Sequence, residues 1–320
     1  MASSVKTLDN EGMLKGIKES FDIDVLKRVI NEMSVVAWDN RMERPHLNRW
    51  LNNFRGNVLG DQAVEQIIAI WLLMNFTFYT EKEVRALCRC IFEDFMHVAL
   101  KQYEDEGTMQ QVPITDRIQH VLATTIFLPL GNASESGTNI LYYFRQENKL
   151  SKKSFEYKKD LEYKNLVYID DVTISGSQAD LYIKEKKLRA DSKYILTFIA
   201  TNDANTYLAK HQPEYRLISS IMLDERSKCF STDSFAFSGV NSEILYELAR
   251  QMCSEYGREI FPANPLGYDD GQYLFGFYYN TPDNTLPIIW RNSKSWEPAF
   301  LRYHKQYGEM EAVINESKYF

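Results

Sequence analysis

A mixed α/β fold, with a mostly parallel sheet behind a helical N-terminal domain, is what this sequence of 320 residues predicts. Three observations predict it. Apolar residues recur at helical spacing through roughly the first 110 positions. The period then changes: short apolar runs at 121–128, 166–169 and 194–199 alternate with helix-like stretches. The first two of these runs end in loops of turn-forming residues, 131–137 and 170–178. Strands alternating with helices imply parallel pairing through right-handed crossovers. In such sheets ligands bind outside the carboxyl ends of the strands, where both loops would emerge.

Taken in order, residues 23–36 read as a helix, and the next helix carries Val64, Ile67, Ile68, Trp71 and Leu72 on one face with Asp61 near its start. Thr80 to Glu83 form a capping box: the threonine hydroxyl can accept an N–H of the first turn while Glu83 reaches back. Val84, Leu87, Cys88, Ile91, Phe92 and Phe95 follow at helical spacing. After the strand at 121–128 and its loop, residues 138–149 read as a helix with Ile140, Leu141 and Phe144 on one side. A lysine-rich polar stretch, 151–164, leads to the strand at 166–169. A helix at 179–187, the strand at 194–199 and a further strand at 216–223 come next. Ser242 is an N-cap candidate for a helix at 242–256, with Gly257 at its C′ position. Late strands at 274–279 and 286–290 flank a Pro-Asp-Asn turn. This order puts a domain boundary between residues 112 and 113: a helical domain over 1–112 and an α/β domain over 113–320.

Composition narrows the function classes. Apolar residues are 44% of the chain and charged residues 25%, an ordinary globular balance. The net charge of −7 argues against a whole-protein grip on nucleic acid, leaving room for a local basic patch. The opening MASSVKTLDNEG is polar, without an apolar signal core. The apolar run at 67–74 falls far short of the ~20 residues a membrane helix needs. No membrane association and a cytoplasmic location are the expectations. Cys88 and Cys90, one residue apart, suit neither a zinc knuckle nor a thioredoxin-type motif, and the five histidines form no ligand-spaced pair. Rings make up 13% of the chain, which fits an aromatic core and a sizeable interface; an oligomer is compatible with this, and the sequence does not fix the oligomeric state. Between 38 and 55 the chain interleaves Trp38, Arg41, Arg44, His46, Arg49, Trp50, Phe54 and Arg55. That pattern reads either as a helix junction with snorkelling arginines or as a nucleic-acid platform.

The chemistry concentrates at 166–180. A buried strand delivers Asp170 and Asp171 to a loop. Desolvating an unpaired carboxylate is too costly, so the pair must meet solvent, a cation or hydroxyl donors. Ser175, Gly176 and Ser177 then offer backbone N–H groups, two hydroxyls and a following helix N-terminus, which favour a phosphate. Two acceptors beside a phosphate site describe a sugar phosphate. The competing reading is a strand that ends in a solvated acidic turn.

The stretch Val167-Tyr168-Ile169-Asp170-Asp171-Val172-Thr173-Ile174-Ser175-Gly176-Ser177-Gln178 resembles the signature of type I phosphoribosyltransferases. That signature is four apolar residues, two acidic ones, two apolar or small ones, then Thr-Gly-x-Thr. The resemblance implies a phosphoribosyltransferase-like sheet that binds phosphoribosyl pyrophosphate. By it, Asp170 and Asp171 are the catalytic pair at the ribose 2′ and 3′ hydroxyls. Thr173, Ser175, Gly176, Ser177 and Gln178 hold the 5′-phosphate. Gly131, Asn132, Ser134, Ser136 and Gly137 stand where the family has its pyrophosphate loop, with backbone amides, metal or the nearby Arg145 to neutralise charge there. Magnesium would bridge pyrophosphate and ribose oxygens, with Asp171 the one side chain assigned to reach it. Gln178 departs from the family's final hydroxyl residue, Thr173 replaces a common apolar one, and the candidate pyrophosphate loop holds no Lys or Arg.

With the helical first half and the late Asn280-Thr281-Pro282-Asp283-Asn284-Thr285-Leu286-Pro287-Ile288-Ile289-Trp290 segment, most of the chain is similar to phosphoribosyltransferase-like effectors of bacterial conflict systems, including those encoded beside retron reverse transcriptases. This likeness implies antiphage defence. It also implies a toxic transfer or hydrolysis at ribose C1, held silent by partners: a reverse transcriptase with its DNA–RNA hybrid and a regulatory protein. Two alternatives share the fold: a non-catalytic sensor of a nucleotide or sugar phosphate, and an interaction protein with a merely solvated acidic turn.

Overall fold

A computed structural model of the chain describes residues 10–302, apart from 106, 108, 110, 132–135, 160 and 239–241; at 10, 136–139 and 242 it describes the backbone alone. Helices α1 (Asn10–Ser20), α2 (Ile23–Ala37), α3 (Arg44–Leu51) and α4 (Gln62–Met74) precede a short strand, β1 (Thr77–Tyr79). Then come α5 (Glu81–Asp105), α6 (Ile114–Ala123), β2 (Thr125–Pro129), α7 (Ser136–Glu147), β3 (Asn165–Thr173), α8 (Ser177–Lys186), β4 (Ser192–Thr201), α9 (Asn202–His211) and β5 (Tyr215–Leu223). The last elements are α10 (Ser242–Ile260), β6 (Phe275–Phe277) and α11 (Pro287–Trp290). No helix among the described residues is long and apolar enough to cross a membrane.

The chain divides into two compact units, one holding residues 10–81 and 225–302, the other Lys82–Asp224. The boundary expected between 112 and 113 is not where it divides. The reason lies in packing. In the first unit the late segment supplies Tyr256, Trp296 and Phe300, whose rings meet Phe54 (5.5 and 5.3 Å for the first two) and Trp38 (5.3 Å for Phe300). Strand β6 also pairs in parallel with β1. In the second unit α5 belongs to the sheet, because Phe95 packs edge-on against Phe127 and Tyr194.

The helix starts of the first unit follow from their caps. Asp22 accepts N–H bonds from Asp24 and Val25, and Asp61 from Ala63 and Val64, just ahead of apolar-periodic runs. Two late expectations are corrected. Residues 286–290 form no strand: Pro287 cannot donate to a ladder but suits a helix N-terminus, and α11 begins there. Gly257 does not end its helix, since α10 runs on to Ile260. Its lack of a side chain serves close approach instead, for a Cβ would lie 2.0 Å from the Pro265 carbonyl oxygen.

The second unit is a four-stranded parallel sheet in the order β2-β3-β4-β5. Side chains alternate between its faces. Leu166, Tyr168 and Ile195 meet Ala179 and Ile183 of α8 and Leu208 of α9 on one face. On the other, Phe127 meets Phe95 of α5 and Phe144 of α7. The expected strand at 121–128 is corrected: residues 121–123 finish α6, and the strand starts at Thr125, whose hydroxyl donates to the Val121 carbonyl at 2.6 Å. A short apolar run carries no period of its own, so helix and strand cannot be told apart there.

Candidate functional site

The site is set by where β2 stops. Its pairing with β3 ends at Pro129 opposite Ile169, with one further bond from Leu130 N–H to the Ile169 carbonyl. Strand β3 continues to Thr173 beside β4, with no further pairing to β2 among the described residues. Asp170 and Asp171 therefore lie inside a strand that overhangs its neighbour, not in a loop after residue 169 as expected. Asp170 is half-buried and shares the face of Tyr168 and α8; Asp171 is buried and shares the face of Ile169. The Asp170 Oδ1 accepts the Asp171 N–H and the Asp171 Oδ1 accepts the Val172 N–H, both at 2.9 Å. The two carboxylates are thus unequal: Asp170 stands on the side of the serine turn, and Asp171 on the other.

The turn itself is built as the sequence suggests. Gly176 caps α8 with φ +74°, and its Cα faces α9: a Cβ would lie 3.1 Å from Leu208 Cγ and 3.2 Å from the Ala204 carbonyl. Ser175 and Ser177 hydroxyls are 2.8 Å apart at the N-terminus of the helix. Gln178 is exposed in the first turn. Thr173 departs from its expected place among these groups. It ends β3 on the face of Asp171, and its buried hydroxyl has no hydrogen-bond partner among the described residues.

Two tethers that sequence reasoning missed hold the turn. Thr201 caps α9 through the Ala204 N–H and donates its own hydroxyl to the Ile174 carbonyl at 2.5 Å. Asp180, in the first turn of α8 and 3% exposed, accepts from Lys184 (2.8 Å), Gln212 (2.5 Å) and the Tyr207 hydroxyl (3.3 Å). The legible signals were the Thr-Asn-Asp start after β4 and the i,i+4 pair of Asp180 with Lys184.

Burial works to raise the Asp180 carboxyl, but the hydrogen bonds from Lys184, Gln212 and Tyr207 outweigh it and hold it below its ordinary 3.8. A depressed folded-state value means that stability from this group is fully present above pH 3.8 and is lost as pH falls through the lowered value. Urea unfolding across acid pH is expected to fall more steeply for the native chain than for Asp180→Asn. Parallel curves would rule out this role.

The upstream loop is only partly in view. Gly131 leaves β2 with φ +117°, Asn132 and Ser134 lie outside the described residues, and Ser136 and Gly137 open α7 instead of completing a loop. Arg145 lies apart from the start of α7. It sits in the last turn of α7, roughly 13 Å along the axis from Ser136 at ~1.5 Å per residue, and its Nε is buried without a partner among the described residues. Nor do the residues around 38–55 form a stacking platform, because Trp38, Trp50 and Phe54 are at most 1% exposed. Arg49 there pairs with Glu297, and His46 Nε2 lies 2.8 Å from the Pro298 carbonyl.

A family model, PRTase-CE, matches residues 47–302, most of the chain. The chain belongs to the PRTase-CE family. Among solved structures this PRTase-CE protein is similar to a crystal structure of orotate phosphoribosyltransferase from Aeropyrum pernix, at 14% identity and a TM-score of 0.23. That likeness covers 32% of this chain and 62% of the other. No curated protein matches it. In the PRTase-CE chain, no group of three or more His, Cys, Asp or Glu among the described residues could hold a metal ion. Asp170 or Asp171 could each lend one oxygen to a hydrated magnesium carried by a pyrophosphate, which needs only one or two carboxylates.

Proposed function

We propose that this PRTase-CE protein binds phosphoribosyl pyrophosphate, or a related nucleotide, at the carboxyl edge of the β2–β5 sheet and acts at ribose C1. One observation carries the reading: an overhanging strand end presents Asp170 on the same face as a glycine-anchored serine turn at the N-terminus of α8. Backbone N–H groups and the Ser175 and Ser177 hydroxyls would take the 5′-phosphate, and Asp170 would accept from the ribose hydroxyls. In the reaction the bond from C1 to the leaving group breaks and one to the acceptor or water forms. The developing oxocarbenium charge would be favoured by the two carboxylates, and their main work is to position the sugar. Bound magnesium would supply charge neutralisation at the leaving pyrophosphate.

The family resemblance extends the proposal to antiphage defence. In it the activity is restrained by partners, a reverse transcriptase with its hybrid and a regulatory protein. A cytoplasmic location fits the four free cysteines. One observation favours the non-catalytic sensor instead: the segment in the pyrophosphate position has no Lys or Arg, and Arg145 lies at the far end of α7. Following pyrophosphate and free-base release from phosphoribosyl pyrophosphate and from nucleotides separates the two. Release that stops in Asp170→Asn/Asp171→Asn supports the enzyme. Ligand binding without any product supports the sensor.

A further inference from the structure

The lysine-rich stretch at 151–164 takes no part in the site above. Strands β2 to β5 are parallel, so the segments that lead into them gather at the amino edge of the sheet, opposite the aspartates. Three such segments matter: 149–164 before β3, 184–193 before β4, and 210–216 at the start of β5. The first two are tied to that edge, since Lys164 N–H donates to the Thr124 carbonyl at 3.0 Å and Ser192 N–H to the Lys164 carbonyl at 2.8 Å. Together they hold 13 Lys and Arg against six Asp and Glu. That is a balance of +7 in a chain whose total is −7, leaving −14 on the rest.

Part of this charge is spoken for. Lys152, Lys184, Lys186 and Lys193 pair with Glu156, Asp180, Glu185 and Glu214. Lys153, Lys158, Lys159, Lys187 and Arg189 are exposed and have no ion-pair partner among the described residues. The first of these segments also carries a stacked pair of half-buried rings, Tyr157 and Tyr163, with centroids 5.5 Å apart. The Tyr163 hydroxyl accepts the Lys158 N–H at 3.0 Å, which fixes the lysine loop onto the rings.

We propose that this basic amino edge docks the sugar–phosphate backbone of a nucleic acid. Two features select that occupant over a protein. Eleven of the 13 cations are lysines. Lysine is a compact, hydrated point charge suited to phosphate neutralisation, whereas the cores of protein interfaces are depleted in it. A half-exposed aromatic pair among lysines also offers a stacking surface for bases. The overall negative charge keeps the grip local, so nucleic acid would meet one side of this unit and leave the carboxyl edge open.

The test is fluorescence anisotropy of the full chain with a labelled mixed-sequence oligonucleotide, single-stranded and duplex, between about 50 and 200 mM salt. Binding that weakens steeply with salt is the expected result. Lys158→Glu/Lys159→Glu and Lys187→Glu/Arg189→Glu should each lower affinity at least ~10-fold and flatten the salt dependence. Asp170→Asn/Asp171→Asn should bind the oligonucleotide as the native chain does, which keeps this surface separable from the sugar-phosphate site. No binding at the lowest salt, native-like binding by both charge-reversed variants, or binding to phosphatidylserine vesicles but not to oligonucleotide would each overturn the proposal.

Discussion

Replacing Glu65 with alanine is expected to destabilise the first unit by roughly 3–5 kcal/mol, enough to leave it mostly unfolded at moderate urea. Glu65 is fully buried on α4, on the same apolar stripe as Val64, Ile67 and Ile68. Its Oε1 accepts N–H bonds from Val58 and Leu59 at 2.8 Å; its Oε2 accepts from Gly56 N–H at 2.7 Å and the Tyr256 hydroxyl at 2.6 Å. One side chain thus satisfies the turn between α3 and α4 and anchors α10. Alanine leaves four donors without this acceptor, two of them buried and two half-buried, and a buried one costs about 1–3 kcal/mol, with relaxation and water recovering part. Burial, followed by the Glu65 contact, raises the Tyr256 hydroxyl well above its ordinary value, which keeps it a donor at any ordinary pH. Glu65→Gln should lie between the two, because an amide has one acceptor oxygen for a site that needs two. Urea unfolding followed by circular dichroism reads these differences. A loss under about 1 kcal/mol for alanine would show that the turn finds other partners.

Gly176→Val is expected to remove binding of a 5′-phosphate while lowering stability by about 2–4 kcal/mol. Valine is disfavoured at φ +74°, and its Cβ would press on Leu208, Tyr207 and the Ala204 carbonyl. The turn must then move off α9 and take Ser175 and Ser177 with it. Gly176→Ala should show the same selectivity with a smaller stability loss. The affinity for ribose 5-phosphate is expected to fall at least ~10-fold, whereas inorganic pyrophosphate, which the proposed reading assigns to the 131–137 segment, should on that reading bind as before. Equal weakening of both ligands would point to general unfolding and not to the turn.

The sequence carried the parallel sheet and the serine turn well, because both rest on local rules: alternating periods, and glycine where φ is positive. It carried the carboxylates less well. Asp170 and Asp171 look like loop residues because polar side chains usually end a strand, yet β3 continues through them as the overhang beyond β2. Nothing in the residues themselves records where the neighbouring strand stops. The same holds for the division of the chain. That Trp296 and Phe300 return to Trp38 and Phe54 is a long-range fact, and it moves residues 225–302 into the first unit. Arg145 looked close to the loop because few residues separate them, but a helix turns sequence proximity into distance. Trp38 and Trp50 were readable as core or as platform, and burial decided for core. Glu65 could have been singled out, as a lone carboxylate within an apolar helical stripe.

Calorimetric titration of the purified chain with phosphoribosyl pyrophosphate, with and without magnesium and beside Asp170→Asn/Asp171→Asn, tests the central claim most directly. Magnesium-dependent binding that disappears in the double variant, while its unfolding curve stays close to that of the native chain, is the expected result. A native chain that binds neither phosphoribosyl pyrophosphate nor ribose 5-phosphate, with or without magnesium, would contradict the assignment of the carboxyl edge as a sugar-phosphate site.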